Sequence, residues 1–174
     1  QQEYQGLAVT LEQEFGHLDG LLHNAAELPL LSRIDDYDLE VWKKVLRVNL
    51  TAPFLLTQVC LPLLRKSPDA SILFTSDRVG RRGRAYWGAY GVSKFGLEGL
   101  MQILADETEQ SHIRVNSIAP GIVRSRIRAL AYPGEDPQSL PEPEAIMPAY
   151  LYLMGPDSVG TTGQAFDAQP APSQ

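Results

Sequence analysis

Apolar positions follow two different spacings along the 174-residue chain. Leu7, Leu11 and Phe15, with Ala8 beside them, recur at helical spacing over 1–15, and Gly16 is placed to stop that helix. LDGLLHNAA (18–26) packs its apolar residues into a strand-length run that ends in small residues. Helical spacing returns over 38–66 through Val41, Trp42, Val45, Leu46, Val48, Phe54, Leu55, Val59, Leu63 and Leu64. Pro53 and Pro62 lie inside that stretch and predict a kink near the first and an end near the second, because proline lacks the N–H a helix needs. SILFTS (71–76) reads as a buried strand, 78–88 as a Gly- and Arg-rich loop, 89–109 as a second long helix, and IRVNSI (113–118) as another strand, broken by Pro120-Gly121. A short helix over 125–132, an irregular stretch with Pro133, Pro137, Pro141 and Pro143, a helix over 144–154 and a strand over 163–167 follow, and 168–174 is expected to fray.

Strands alternating with helices predict an α/β fold, a parallel sheet of four strands with helices on both faces. Right-handed crossovers are expected throughout. Ligands of such sheets sit beyond the carboxyl ends of the strands. That directs attention to Asn24, Ala25 and Ala26, to Ser76 and Asp77, and to Pro120 and Gly121.

Composition narrows the picture. Apolar residues make up 44% and charged residues 21%, as in one globular domain over 1–174. The net charge of −6 argues against nucleic acid, whose phosphates need excess Lys and Arg. Gln58, Pro62 and Arg65 interrupt the longest apolar stretch, so no membrane partner is expected. Cys60, the sole cysteine, fits a buried thiol in a reducing cytoplasm, and no leader pattern stands at the N-terminus. No metal site is expected.

Tyr90 and Lys94 lie four apart on a helix and share a face. A phenol titrates near pH 10, too high for a base at neutral pH, but a nearby ammonium favours the phenolate. The pair can therefore move a proton to or from a carbonyl or alcohol oxygen. In order and spacing, HNAA (23–26), VNLTAPF (48–54), ILFTS (72–76), YGVSKFGLEGL (90–100), IRVNSIAPGIVRS (113–125) and TGQAFDA (162–168) together resemble the short-chain dehydrogenase/reductase family. GRAYWGAYGVSKF, IMPAYLYLMG and FDAQP are similar to a branch of bacterial oxidoreductases within it.

The resemblance implies a Rossmann-like three-layer fold, hydride exchange between NADP or NAD and a small-molecule carbonyl or alcohol, and a homodimer or homotetramer built on the helices 38–66 and 89–109. It implies Tyr90 as general acid/base and Lys94 as the group that lowers its pKa and holds the nicotinamide ribose. It further implies Asn49 as the residue that kinks its helix and anchors a proton-relay water, unless Asn49 is merely a satisfied polar residue. Asn24, Ala25 and Ala26 match the turn beside adenosine and ribose, with Ala26 where the family has glycine. Pro120, Gly121, Ile122 and Val123 would pass under the nicotinamide, and Ser125 would bind its carboxamide or else cap a helix.

Two departures stand out. Asp77 lies 13 residues before Tyr90, where the family's catalytic serine belongs. An ionised carboxylate cannot donate the serine's hydrogen bond, and it raises the pKa of a neighbouring phenol. Asp77 is otherwise open between a protonated buried acid and a loop carboxylate paired with Arg78, Arg81, Arg82 or Arg84; Ser76 is a further candidate donor. The second departure is that no T-G-x-x-x-G-x-G turn occurs, the feature that brings backbone amides to a pyrophosphate. The chain is accordingly expected to match the C-terminal part of the family fold, without its N-terminal βαβ portion, with the strand at 19–24 as an exposed edge and weak dinucleotide binding by the chain alone. The arginine run 78–84 reads as a solvated loop that could also hold an acidic group. Two functions remain: an oxidoreductase, or an impaired relative that serves as an oligomerising or binding module.

Overall fold

The computed structural model describes residues 2–170. Residues 1 and 171–174, part of the predicted first helix and of the expected frayed tail, lie outside the described residues. The strands are β1 (Gly20–His23), β2 (Ala70–Thr75), β3 (Ile113–Ala119) and β4 (Ala165–Asp167). The helices are α1 (Gln2–Phe15), α2 (Leu39–Leu46), α3 (Ala52–Leu64), α4 (Gly88–Glu107), α5 (Arg126–Ala131) and α6 (Met147–Met154). All pairings are parallel in the order β1-β2-β3-β4, with Leu21 opposite Ile72, Ile72 opposite Val115 and Ser117 opposite Ala165.

Side-chain alternation along the two central strands builds a core on each face. Ile72, Phe74, Ile113 and Val115 meet Cys60 and Leu64 of α3 and Leu97 and Met101 of α4. Leu73 and Ile118 point the other way, onto Ile146 and onto Tyr150 and Leu153 of α6. Every residue of β2 and β3 is buried, including the polar Arg114, Asn116 and Ser117 of β3, because helices cover both faces of these strands. Each buried Leu, Ile or Phe contributes roughly 1.5–3 kcal/mol. Among the described strands β1 lies at an edge, and its Leu22 is 43% exposed.

The expectation of right-handed crossovers throughout fails. The sheet order advances in one direction, yet the links β1→β2 and β2→β3 run through α3 and α4 on one face, while β3→β4 runs through α6 on the other. Links on opposite faces have opposite hands, so with the usual right hand for the first two the last is left-handed. The long segment 125–154 between β3 and β4 supplies the length for it.

The predicted kink in the 38–66 helix is a π-helical turn, Arg47–Thr51, upstream of Pro53. Pro53 has no N–H to offer the carbonyl of Asn49, so α-helical bonding is interrupted there. Asp38 caps α2 by accepting from Val41 N at 2.8 Å. α3 ends at Leu64, near Pro62 as expected, and closes with Arg65 N donating to Leu61 O at 3.0 Å. The composite helix Leu39–Leu64, with a mean hydropathy of 1.3, is long and apolar enough to cross a membrane by length and composition alone, so the interrupting residues do not exclude a span. In the fold, Cys60, Leu63 and Leu64 are buried.

Candidate active site

The carboxyl ends of β2 and β3 and one face of α4 converge on a cavity of about 560 Å³. A third apolar cluster seats that face: Val79, Ala89 and Tyr90 pack with Leu28 and Val45 and are flanked by Trp42 and Trp87. The helical turn Arg78–Gly80 lies so close to α4 that a Cβ on Gly80 would stand 2.7 Å from Lys94 Cβ. Glycine at 80 is what lets that turn reach the helix.

Lys94 is buried, and its ammonium donates to the main-chain carbonyl of Thr75 at 2.7 Å. It lies 5.4 Å from the centre of the Tyr90 ring. Burial lowers its pKa to about 8, against the upward pull of Asp77 and Glu98. Tyr90 Oη donates to Asp77 Oδ2 at 3.2 Å, and Asp77 Oδ1 accepts from Val79 N at 3.0 Å. Burial first, and the Asp77 carboxylate second, push the phenol's pKa well above its ordinary value. The expected lowering by Lys94 is therefore outweighed: in this structure the phenol holds its proton.

The reading of Asp77 as a carboxylate paired with a loop arginine is corrected. Arg78 Nε and Arg81 Nη1 instead reach Asp167, at 3.3 and 3.4 Å, and Arg81 Nε reaches the buried Glu98 at 2.9 Å. The run 78–84 is thus only partly a solvated loop: Arg82 and Arg84 are exposed, whereas Arg78 and Arg81 fasten the loop to β4. Ser76 Oγ is buried without a hydrogen-bond partner among the described residues, and Ser76 lines the cavity.

Of the residues singled out from sequence, Asn24, Ala26, Asp77, Tyr90, Lys94, Pro120, Gly121, Val123 and Ser125 line this cavity. Ala25 does not, and Ile122 lines a smaller adjoining cavity of about 200 Å³. Asn49 lies outside both. Its side-chain amide donates to Glu27 O at 2.9 Å and Ser93 Oγ at 3.1 Å, and its Oδ1 accepts from Glu27 N at 2.7 Å. Both N–H groups are spent on structure, and the Asn49 main-chain carbonyl cannot receive the α-helical bond from Pro53. Ser125 is the N-cap of α5, its Oγ accepting from Arg128 N at 3.1 Å. The cap uses a lone pair and leaves the hydroxyl proton free to donate.

Other residues that shape the site carried little local signal. Thr75 Oγ1 donates to Asn24 Oδ1 at 2.9 Å and lies 3.2 Å from Tyr150 Oη, which ties the ends of β1 and β2 to α6. Glu98 accepts from Ser117 Oγ at 2.6 Å as well as from Arg81. The spacing of Tyr90, Lys94 and Glu98 by single helical turns is the signal that would have found it. Gln169 Nε2 donates to Pro120 O at 3.1 Å and Ile122 O at 2.7 Å, strapping the loop after β3, and Arg78 Nη2 holds Gln169 O at 2.8 Å.

The donor set fits the nicotinamide end of a dinucleotide: an ammonium, the Asn24 amide, the Ser125 hydroxyl, and a loop in which Gly121 has φ +80°. That conformation favours glycine and exposes backbone to a ligand.

Fold and site together define a parallel α/β domain with a Tyr–Lys pair at the strand ends. The chain belongs to the short chain dehydrogenase family, whose model matches residues 1–136. It is 52% identical over 166 residues to the oxidoreductase YciK of Escherichia coli K12, covering 95% of this chain and 66% of the relative. It is 37% identical over 131 residues to dehydrogenase/reductase SDR family member 4 of Bos taurus, covering 75% of this chain and 46% of that one. Among solved structures, a short chain dehydrogenase from Shigella flexneri 2a strain 301 complexed with NADP superposes with a TM-score of 0.94 at 51% identity, covering 97% of this chain and 70% of that chain. The chain thus spans about half to two thirds of the length of these curated relatives.

Proposed function

We propose that this chain carries the catalytic face of an NADP(H)-dependent oxidoreductase that interconverts a small carbonyl compound and its alcohol. The observation that carries the reading is the Tyr90 phenol in a 560 Å³ cavity beside a buried lysine ammonium, at the strand ends where this fold binds ligands. The NADP in the Shigella flexneri relative supports that cofactor over NAD.

When bound, the cofactor supplies a hydride to the carbonyl carbon. Tyr90 gives its phenolic proton to the carbonyl oxygen as the alcohol forms, and takes it back in the reverse direction. Lys94, held by Thr75 O, offsets the negative charge on the phenolate that results. Lys94 would hold the nicotinamide ribose, Asn24 would stand beside the adenosine and its ribose, the loop 120–123 would meet the nicotinamide, and Ser125 would bind its carboxamide. Asn49 fixes the Glu27 main chain and presents a main-chain carbonyl for a relay water. Exposed Phe54, Val92, Phe95 and Ile103 on α3 and α4 suit a self-association surface, and the single buried thiol suits a reducing compartment. In the intact protein, Tyr90→Phe is expected to abolish NADPH-dependent reduction across a carbonyl panel; turnover equal to the parent's would end this reading.

One observation favours a second reading. The proton that Tyr90 must deliver is held by Asp77, at a position where the family has a donor. On that reading the protein is an impaired relative, an oligomerising or binding module. Asp77→Ser separates the two: restoring one donor is expected to raise kcat by about 10²–10³ if activity has been suppressed. A fall in kcat would show that Asp77 has a working part in the reaction.

A further inference from the structure

Five cationic side chains and one carboxylate line the two cavities, in a chain with 21 acidic and 15 basic residues overall. Lys94, Arg124 and Arg128 line the larger cavity, Arg78, Arg84 and Arg128 the smaller, and Asp77 both. The two adjoin along Asp77, Trp87, Gly121, Arg128 and Tyr132. The smaller cavity, at about 200 Å³, has room for a carboxylate or a phosphate.

The arginines around it are held for use. Arg78 is fixed by Asp167 Oδ1 at 3.3 Å and Gln169 O at 2.8 Å, through Nε and Nη2. Arg128 is fixed by a two-pronged contact with Glu135, again through Nε and Nη2, and by the Tyr132 ring at 3.8 Å. Neither spends Nη1 on these partners. Arg84 has no carboxylate partner among the described residues. Asp77 keeps its negative charge, but Val79 N–H and Tyr90 O–H engage its two oxygens, and three guanidinium groups line the same cavity. Arg78 and Arg84 line only the smaller cavity, which neither Lys94 nor Asn24 reaches, so they stand apart from the groups proposed for the ribose.

We propose that the substrate carries an oxyanion, a carboxylate or a phosphate, bound among Arg78, Arg84 and Arg128 while its carbonyl meets Tyr90. Guanidinium forks match the paired oxygens of such groups. The apolar walls formed by Trp87, Ile127 and Ile146 take the body of the molecule. This assignment rests on the oxidoreductase reading for the reacting carbonyl but not for the anion site itself.

The test uses the intact protein with NADPH, short oxo-carboxylates, their methyl esters, and a ketone bearing a phosphate. One anionic series is expected to exceed the ester in kcat/KM by about tenfold or more, the size of a charge-assisted hydrogen bond. Whichever series does so identifies the oxyanion. Arg84→Gln is expected to collapse that ratio, mainly through KM. Equal kcat/KM for anions and ester, a ratio unchanged by Arg84→Gln, or a rise in KM for NADPH alone overturns the proposal. Trp87 lines both cavities, so a fluorescence change that Trp87→Phe abolishes reports binding without turnover. Arg84-dependent preference for the anion with no NADPH oxidation sinks the oxidoreductase reading and keeps the anion site; turnover without preference does the reverse.

Discussion

Replacing Gln169 with leucine removes two donated hydrogen bonds at almost constant volume. Its Nε2 serves Pro120 O and Ile122 O at 3.1 and 2.7 Å, on either side of Gly121, and its side chain lies 3.2 Å from where a Cβ on Gly121 would be. The half-buried loop lets water reach the freed carbonyls, so each bond is worth about 1 kcal/mol net and not a full desolvation penalty. Two bonds come to about 2 kcal/mol, a shift of about 30-fold in the fraction of loop held in place. If this loop underlies the nicotinamide, KM for NADPH rises by about 10- to 30-fold in the intact protein while kcat changes far less. Gln169→Glu is harsher, because it turns an acceptor-only group toward two carbonyls. Steady-state kinetics with varied NADPH reads both variants. An unchanged KM for NADPH in both would refute the strap, and an equal loss of kcat and kcat/KM would make Gln169 part of the chemistry.

His23 is buried, hydrogen-bonded to Thr57 Oγ1 at 2.9 Å and stacked on Phe74, and burial lowers its pKa to about 4. The unfolded chain, titrating near 6.5, takes up that proton first, so the stability His23 contributes is complete above about pH 6.5 and is lost as pH falls toward 4, to a total of roughly 3 kcal/mol. Urea denaturation at pH 7 and pH 5 is expected to show the loss, and His23→Asn to flatten it; an identical slope in the variant would assign it to other groups. Lys94 has its pKa lowered to about 8 by burial, so its ammonium is lost as pH rises through that value. Turnover is expected to fall on that alkaline limb, and Lys94→Arg to move the limb upward if the variant folds. Because the unfolded lysine keeps its proton to about pH 10.4, stability rises between the two values, opposite to activity.

Much of the fold was legible because helix and strand leave local periods. SILFTS and IRVNSI lie buried on both faces as β2 and β3, and the helices over 1–15, 89–109 and 144–154 appear within a few residues of their expected ends. Tyr90 and Lys94 share a face because 3.6 residues make a turn, and the family resemblance set Asp77 at the serine position near Tyr90. The partners of those groups were not legible. The pairing of Asp77 with a neighbouring arginine, one of the readings left open, followed sequence proximity. The actual geometry sends Arg78 and Arg81 to Asp167, 89 and 86 residues away, and leaves Asp77 to the phenol. The same holds for the left-handed link to β4, set by which face α6 covers, and for Gln169, whose two carbonyl partners lie 49 and 47 residues back. Periodicity, a property of the backbone over a few residues, was fixed by the chain itself. The direction of the Tyr90 pKa, the strap on the loop after β3 and the cations around the cavity arise from burial and charge brought together only by packing.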